Sequence, residues 1–298
     1  MDGPALRRDV ALLGDDTIIV LVTGGNGRLG RALSLIGGPA VRGFSSAELD
    51  VTDAVAFHRV LGRLRPDAVI NAAALGVEAS EVEPQRAHHV NAIAPGHMAQ
   101  ACQLAGTPFI HISTDYVFGD VPDRPWRESD PVSPLNSYGH LKAEGEHNAL
   151  AAAGGVCICR VAWLFGDQKD FIARLLQGND DPVRVAYDQI GSPTPIFHVA
   201  KRLLELASRM VAGDVIPEIL HLAGSPPVSR ADWVATAFDA RRRAGKRTPK
   251  LVPVSMSEFG SQIPRPSRSA LDCTLATQIF ADQLDWQELT MRADTFSG

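Results

Sequence analysis

One stretch near the start of the chain constrains its fold more than any other. Thr17–Val22 reads TIIVLV, an unbroken apolar run of strand length, and it leads directly into TGGNGRLG, residues 23–30. Gly24, Gly27 and Gly30 are spaced G-x-x-G-x-x-G, a spacing that an ordinary turn can also show. Position decides between the two. The loop follows a run apolar throughout, as a strand covered on both faces must be, and it opens onto a helical pattern. A dinucleotide-binding loop needs glycine there for a tight turn, for close approach to pyrophosphate and for close helix–strand packing. The helix that follows, with Arg28 and Leu29 in its first turn, would turn N–H donors and a positive dipole end on the pyrophosphate. The expected cofactor contacts here are Gly24, Gly27, Arg28, Leu29 and Gly30.

Downstream, strand and helix patterns alternate. A helix runs through Leu35, and Ala40–Phe44 makes a second strand. Thr52 or Asp53 caps a helix ending near Arg65, stopped by Pro66. Ala68–Ala73 is a third strand. A helix from about Pro84 to Ala105 follows, kinked by Pro95 and ended by Gly106. Phe109–Ser113 is a fourth strand, and a helix beginning near Tyr138 leads to a fifth, Val156–Ala162. Such alternation predicts an α/β fold, a Rossmann-like doubly wound parallel sheet with helices on both faces. After Gly166 strands shorten and Pro and Gly become frequent. The organisation expected is an extension over 1–16, a dinucleotide-binding domain over 17–166, and a smaller substrate-binding lobe over 167–298. His198–Met210 and Ile219–Ala223, within the span of about 197–224, should return to the main sheet, so the lobes interleave.

Bulk properties exclude several classes. Net charge is −5, which gives no general attraction to nucleic acid or anionic membrane. The run from Arg241 to Arg247 reads as a solvated helix end rather than a phosphate patch. No apolar run approaches the roughly 20 residues of a membrane helix, and the first sixteen residues lack the apolar core of a secretory signal. Four cysteines are scattered. Cys157 and Cys159 share one face of a strand and read as buried free thiols, without metal or redox spacing. The expected compartment is the cytoplasm.

The end of the second strand bears on which dinucleotide binds. An NAD site usually offers a carboxylate there to the ribose 2′-hydroxyl. This chain reads Val41-Arg42-Gly43-Phe44-Ser45-Ser46, with no acid until Glu48. The expectation is NADPH, with NADH possible, and Ser45 as a donor to the 2′-phosphate.

Tyr138 and Lys142 are spaced i, i+4, which puts them on one helical face. A surface aromatic–cation pair would look the same. The position favours chemistry, since the pair follows a fourth strand ending Ser113-Thr114-Asp115-Tyr116, at the sheet edge where open α/β sheets bind ligands. Reducing a ketone needs a hydride at carbon and a proton for the alkoxide. A phenol of pKa ~10 is a poor acid at neutral pH, and a nearby ammonium lowers it. Thr114 would polarise the carbonyl oxygen. The catalytic set expected is Thr114, Tyr138 and Lys142, with Tyr138 and Lys142 also contacting cofactor.

Taken with AELDVTD, RPDAVINAAA, VNAIAPGHMAQAC, STDYVFGD, YGHLKAEGE, RVAWLFG, DQIGSPT and RPSRSALD, the sequence resembles the extended short-chain dehydrogenase/reductases. Within them it is most similar to the dTDP-4-dehydrorhamnose reductases, from about Thr17 to Trp286. The first motif and the Tyr-Lys segment are generic; STDYVF, DQIGSPT and the RP-x-x-S-x-LD tail are specific. The resemblance implies reduction of the C4 ketone of a nucleotide-linked 4-keto-6-deoxyhexose, dTDP-4-dehydro-L-rhamnose above all. It implies Ala72, Ala73 and Asn91 at the cofactor, and Val77, Tyr116, Trp163, Gln189 and Arg265 at the nucleotide sugar. Trp163 would form a flat wall for the deoxysugar methyl, and Arg265 would neutralise a diphosphate or cap a helix. The chain departs from the family at Leu75–Glu81, one residue short and without the usual threonine. Ala32 stands where some relatives carry an acid linked to magnesium, so no metal is expected. A homodimer is possible.

Two other readings remain. Asp115 beside Thr114 leaves room for an epimerase or 4,6-dehydratase of the same fold, although Tyr116 follows where a dehydratase wants a second acid. A regulatory subunit that binds cofactor without turnover is the other, though such proteins tend to lose the tyrosine or lysine that this chain keeps.

Overall fold

The computed structural model describes residues 18–120, 123–152, 154–167, 169–178 and 182–291. The 1–16 extension and Thr17 lie outside the described residues. The first strand, β1 (Val20–Thr23), is buried along its whole length, which its apolar run requires. It is followed by α1 (Arg28–Gly37), β2 (Val41–Phe44), α2 (Ala54–Leu64) and β3 (Ala68–Asn71). Asp53, not Thr52, caps α2, its Oδ1 accepting from Ala56 N–H at 2.9 Å. The helix stops at Arg65 in the left-handed region, directly before Pro66.

Beyond β3, the single kinked helix expected from Pro84 to Ala105 is three pieces. A short α3 (Val77–Val82), absent from the sequence reading, precedes α4 (Pro84–His88), a π-helical turn over His89–Ile93, and α5 (Ala94–Ala105). Pro95 has no N–H for the carbonyl of Asn91, and the turn ahead of it widens instead of bending. Next come β4 (Phe109–Thr114), α6 (Ser137–Leu150) and β5 (Val156–Val161).

The later chain forms β6 (Leu164–Phe165), α7 (Phe171–Gln177), β7 (Val183–Ala186), β8 (Ile190–Gly191), β9 (Thr194–Pro195), α8 (Ile196–Val211) and β10 (Ile219–His221). It ends in β11 (Gly224–Ser225), β12 (Val228–Ser229), α9 (Arg230–Arg243) and β13 (Leu251–Val254), followed among the described residues by three short helices and the strand Leu284–Asp285. The main sheet has the order β10-β5-β4-β3-β1-β2 and is parallel throughout. It is the expected doubly wound α/β sheet. Its sixth strand, β10, comes from the returning segment, and α8 packs on α1.

One face of the sheet is covered by α1 and α8, through Leu29, Leu33, Val199, Leu203 and Leu206. The other is covered by α2 and α5, through Phe57, Leu61, Met98 and Cys102. Each such side chain stabilises the fold by about 1.5–3 kcal/mol when fully buried. A second cluster gathers Phe165, Ile172, Trp233, Val234, Phe238 and Trp286 beneath the β7–β13 pair. The basic run Arg241–Arg243 sits in the last turn of α9, where cations favour the helix dipole. Cys157 and Cys159 lie buried side by side in β5, with sulfurs 3.9 Å apart. Among the described residues, no helix is long and apolar enough to cross a membrane.

The chain travels outward from β1 to β2, then back across to β3 and onward. This reversal opens a crevice at the carboxyl ends of β1 and β3, where ligands bind in such sheets. The site is built around it.

Candidate active site

The glycine loop lies in that crevice. Gly24 has φ +68°, and a Cβ there would stand 2.7 Å from Ala72 O and Ala73 N. A Cβ on Gly30 would strike the Gly24 carbonyl. The loop is thus drawn tight against the end of β3, which places Ala72 and Ala73 beside it. No described side chain caps α1, and no acid occupies its first turn, so its amino end keeps its N–H donors for an anion. This bare cradle fits a dinucleotide pyrophosphate.

Other expected cofactor residues have specific places. The Arg28 side chain turns away to Asp167, at 2.7 Å, and to the Leu164 carbonyl, at 2.8 Å. Leu29 is buried in the core. Both therefore meet the crevice through backbone. Asn91 clamps Leu75 with two 2.9 Å hydrogen bonds, Oδ1 accepting from its N–H and Nδ2 donating to its carbonyl. It shapes the loop after β3. Ser45 overturns one premise of the sequence reading. Glu48 folds back on it, accepting from Ser45 N–H at 2.8 Å and Ser45 Oγ at 2.6 Å. A carboxylate therefore does stand at the end of β2, three residues on, and Ser45 holds it below the usual range.

The residues expected to be catalytic come together on β4 and α6. Asn136 caps α6, accepting from Gly139 N–H at 2.9 Å, which sets Tyr138 in the first turn. The side chain of Thr114, buried at the end of β4, accepts from Tyr116 N–H at 3.2 Å and donates to Asp115 Oδ1 at 3.1 Å. The same threonine stands by the Tyr138 hydroxyl and works to lower its pKa. Burial nevertheless raises the phenol above its ordinary range. Lys142 shares the α6 face with Tyr138, but its amine is tied to β4, donating to the Ile112 carbonyl at 2.6 Å and lying 3.0 Å from His111 Nε2. Burial brings it down to about 8, while Glu146 opposes the shift.

The Asp115 carboxylate accepts from two side chains, Thr114 Oγ at 3.1 Å and Ser269 Oγ at 2.6 Å. Burial pushes its carboxyl up to about 6.

Four of the expected sugar-facing residues meet around these groups. Tyr116 packs edge-on against Tyr138, with centroids 5.8 Å apart, and the charge of Arg265 opposes the rise that burial causes in its phenol. Arg265 also reaches across to Glu78 at 2.6 Å, one residue after Val77 at the start of α3. Arg265 is thus paired with an acid in the first turn of α3. The Trp163 ring lies between Gly191, where any Cβ would collide with it, and the guanidinium of Arg230, 3.7 Å from its centre. Gln189 accepts from Arg230 Nε at 2.7 Å. Sequence reasoning missed Arg230 and Ser269. Ser229-Arg230 opens α9 like any capped helix, and nothing local reveals that its arginine returns to Trp163.

Comparison with known proteins follows the same lines. The family described as the RmlD substrate binding domain matches residues 18–293. A dTDP-4-dehydrorhamnose reductase of Mycolicibacterium smegmatis is 37% identical, over 90% of this chain and 83% of its own. The chain belongs to the dTDP-4-dehydrorhamnose reductase family. Solved reductases of that family share its shape. One from Clostridium acetobutylicum superposes with a TM-score of 0.81 at 29% identity, covering 91% of this chain and 96% of that one. Another, from Bacillus anthracis in complex with NADP, superposes at 0.82 with 27% identity, over 92% and 97%. The family match spans the glycine loop, the Thr114–Tyr138–Lys142 group and the later segment with Gln189 and Arg265.

Proposed function

We propose that this protein reduces the C4 ketone of dTDP-4-dehydro-L-rhamnose to give dTDP-L-rhamnose, with NADPH as reductant and NADH as a possible substitute. The observation carrying this reading is the meeting of the Thr114 and Tyr138 hydroxyls beside the crevice that the glycine loop lines. When bound, the reduced nicotinamide supplies the hydride. Thr114 turns its hydroxyl hydrogen from Asp115 to the ketone oxygen and polarises it. Tyr138 gives its proton to the alkoxide as the hydride arrives, a task for which a phenol held neutral by burial is in the right state. Lys142 then faces a phenolate and stabilises it as an ammonium, and it holds the nicotinamide ribose.

Gly24, Gly27, Gly30 and the backbone of Arg28 and Leu29 hold the pyrophosphate. Ala72, Ala73 and the Asn91-clamped loop border the coenzyme, and Ser45 with Glu48 meets the adenosine ribose. Val77, Tyr116, Trp163, Gln189 and Arg265 border the nucleotide sugar, with Arg265 leaving Glu78 for the diphosphate. We divide the chain into a coenzyme part and a sugar part, with residues 196–221 in the first because α8 and β10 pack with the main sheet. Free thiols throughout the described residues suit a reducing cytoplasm. The test is NADPH oxidation with dTDP-4-dehydro-L-rhamnose and identification of the product. Absence of turnover despite tight NADPH binding would favour the regulatory-subunit reading.

A further inference from the structure

Behind the catalytic face, four polar side chains from four elements form one line. They are Thr23 on β1, Asn71 on β3, His111 on β4 and Lys142 on α6, and none is more than 1% exposed. Thr23 Oγ donates to Asn71 Oδ1 at 2.7 Å, and Ala73 N–H donates to the same oxygen at 3.2 Å. Asn71 Nδ2 lies 3.1 Å from His111 Nδ1. On the far side of the ring, Nε2 lies 3.0 Å from Lys142 Nζ, which donates to the Ile112 carbonyl.

The directions of these bonds follow from the Asn71 end. Its oxygen takes two donors, one of them a backbone N–H that cannot reverse. Its NH₂ therefore faces His111 and donates, so Nδ1 accepts and the hydrogen of the neutral ring is on Nε2. Burial, with Lys142 alongside, keeps the ring neutral by holding it well below its ordinary range. The Nε2–H points at Lys142. An ammonium has only donors. The neutral amine alone has a lone pair to take this bond while still donating to Ile112.

We propose that His111, fixed by Asn71 in its Nε2–H tautomer, is a positioning residue that donates to the Lys142 nitrogen and favours its neutral form in the coenzyme-free protein. The proposal deepens the reductase reading, on which the role of Lys142 rests. It adds a cost to charging the lysine. An ammonium at Lys142 requires the ring hydrogen to move to Nδ1 and the Asn71 amide to turn over, which strips Ala73 N–H of its acceptor. That N–H lies against Gly24, so the charge of the lysine and the coenzyme loop are tied through one amide. The groups facing the pair are Thr23 from β1, Asn71 from β3, the Ile112 carbonyl from β4, and Glu146 from α6. Only Glu146 favours the ammonium, and it is itself held by Ser113 and by Arg160 at 2.7 Å.

Magnetic resonance tests this without turnover. In ¹⁵N-histidine protein without added coenzyme, His111 is assigned by its loss in His111→Gln. At pH 9 its ring should carry hydrogen on Nε2 alone; hydrogen on Nδ1 would overturn the proposal. In ¹³Cε-lysine protein, Lys142 is one of five lysines and should titrate near 8. Asn71→Asp presents a carboxylate to Nδ1, so the ring hydrogen should move there and the Lys142 midpoint should rise by about a unit or more. A folded Asn71→Asp protein with an unmoved ring hydrogen would also overturn it. If that variant does not fold, the wild-type tautomer at pH 9 decides alone. A failed reductase assay would leave these spectra unaffected, so the two readings fail separately.

Discussion

Arg230 lies flat on Trp163, its guanidinium carbon 3.7 Å from the ring centre and 4.7 Å from the ring centre of Phe171. Stacking and the bond to Gln189 keep the cation fixed, although burial lowers it to about 10. Tyr116 and Asp115 help hold its charge, and both adjoin the group proposed to meet the sugar. Arg230→Met should raise KM for the nucleotide sugar by roughly 10–100-fold, the worth of a charge-assisted hydrogen bond. Coenzyme affinity, measured by fluorescence titration, should stay within about twofold.

Tyr138→Phe removes one oxygen and keeps the edge-on contact with Tyr116. Turnover should fall by roughly 10²–10⁴, the range for a lost general acid, while NADPH affinity holds. Near-native turnover in steady-state assays would remove Tyr138 from the proton-transfer role.

Asp115 titrates near 6. Below that pH its carboxyl is protonated and Thr114 loses an acceptor that orients its hydroxyl. The wild-type kcat/KM should change across pH 6, and Asp115→Asn should flatten that limb. The variant should retain activity within about tenfold. Because both carboxylate oxygens are engaged by Thr114 and Ser269, dTDP-glucose with oxidised coenzyme should yield no 4-keto product in either protein. Product formation by the wild type would point to the dehydratase reading.

Glu48 places a negative charge beside Ser45. Glu48→Gln removes repulsion of a 2′-phosphate and frees the serine donors. The ratio of kcat/KM for NADPH over NADH should rise, by about tenfold. An unchanged ratio would put the 2′ position elsewhere.

His221 sits between the Asp272 carbonyl, 3.1 Å from Nδ1, and Arg160, 3.4 Å from Nε2. Burial first, then Arg160, lowers it to about 3. The folded protein thus prefers the neutral ring. This contribution to stability is full above the unfolded pKa near 6.5 and is lost as pH falls towards 3. Between pH 7 and 4.5 the loss should be about 2–3 kcal/mol. Urea unfolding should show it, and His221→Gln should reduce the slope.

The parallel sheet was legible because its strands are short apolar runs separated by helical periods, and burial on both faces leaves no other pattern. The glycine loop and the i, i+4 pair were legible because their chemistry is local. What escaped was set by distance in sequence or by side-chain direction. Arg230 reaches Trp163 across 67 positions of chain, and Glu48 turns back on Ser45 only because the loop after β2 curls. The π turn required knowing that Pro95 would widen its helix rather than bend it.

The strand β10, which follows residue 218 in the chain, lies hydrogen-bonded along β5. A fragment ending at Gly166 would keep the glycine loop and Tyr138 yet expose β5 as a bare, apolar edge, with Cys157 and Cys159 on it. Open edges of that kind invite pairing with other chains. The nucleotide-binding half is therefore not a portable module, and such a fragment should go into aggregates rather than solution. During synthesis the growing chain must wait for its last third before the sheet can close.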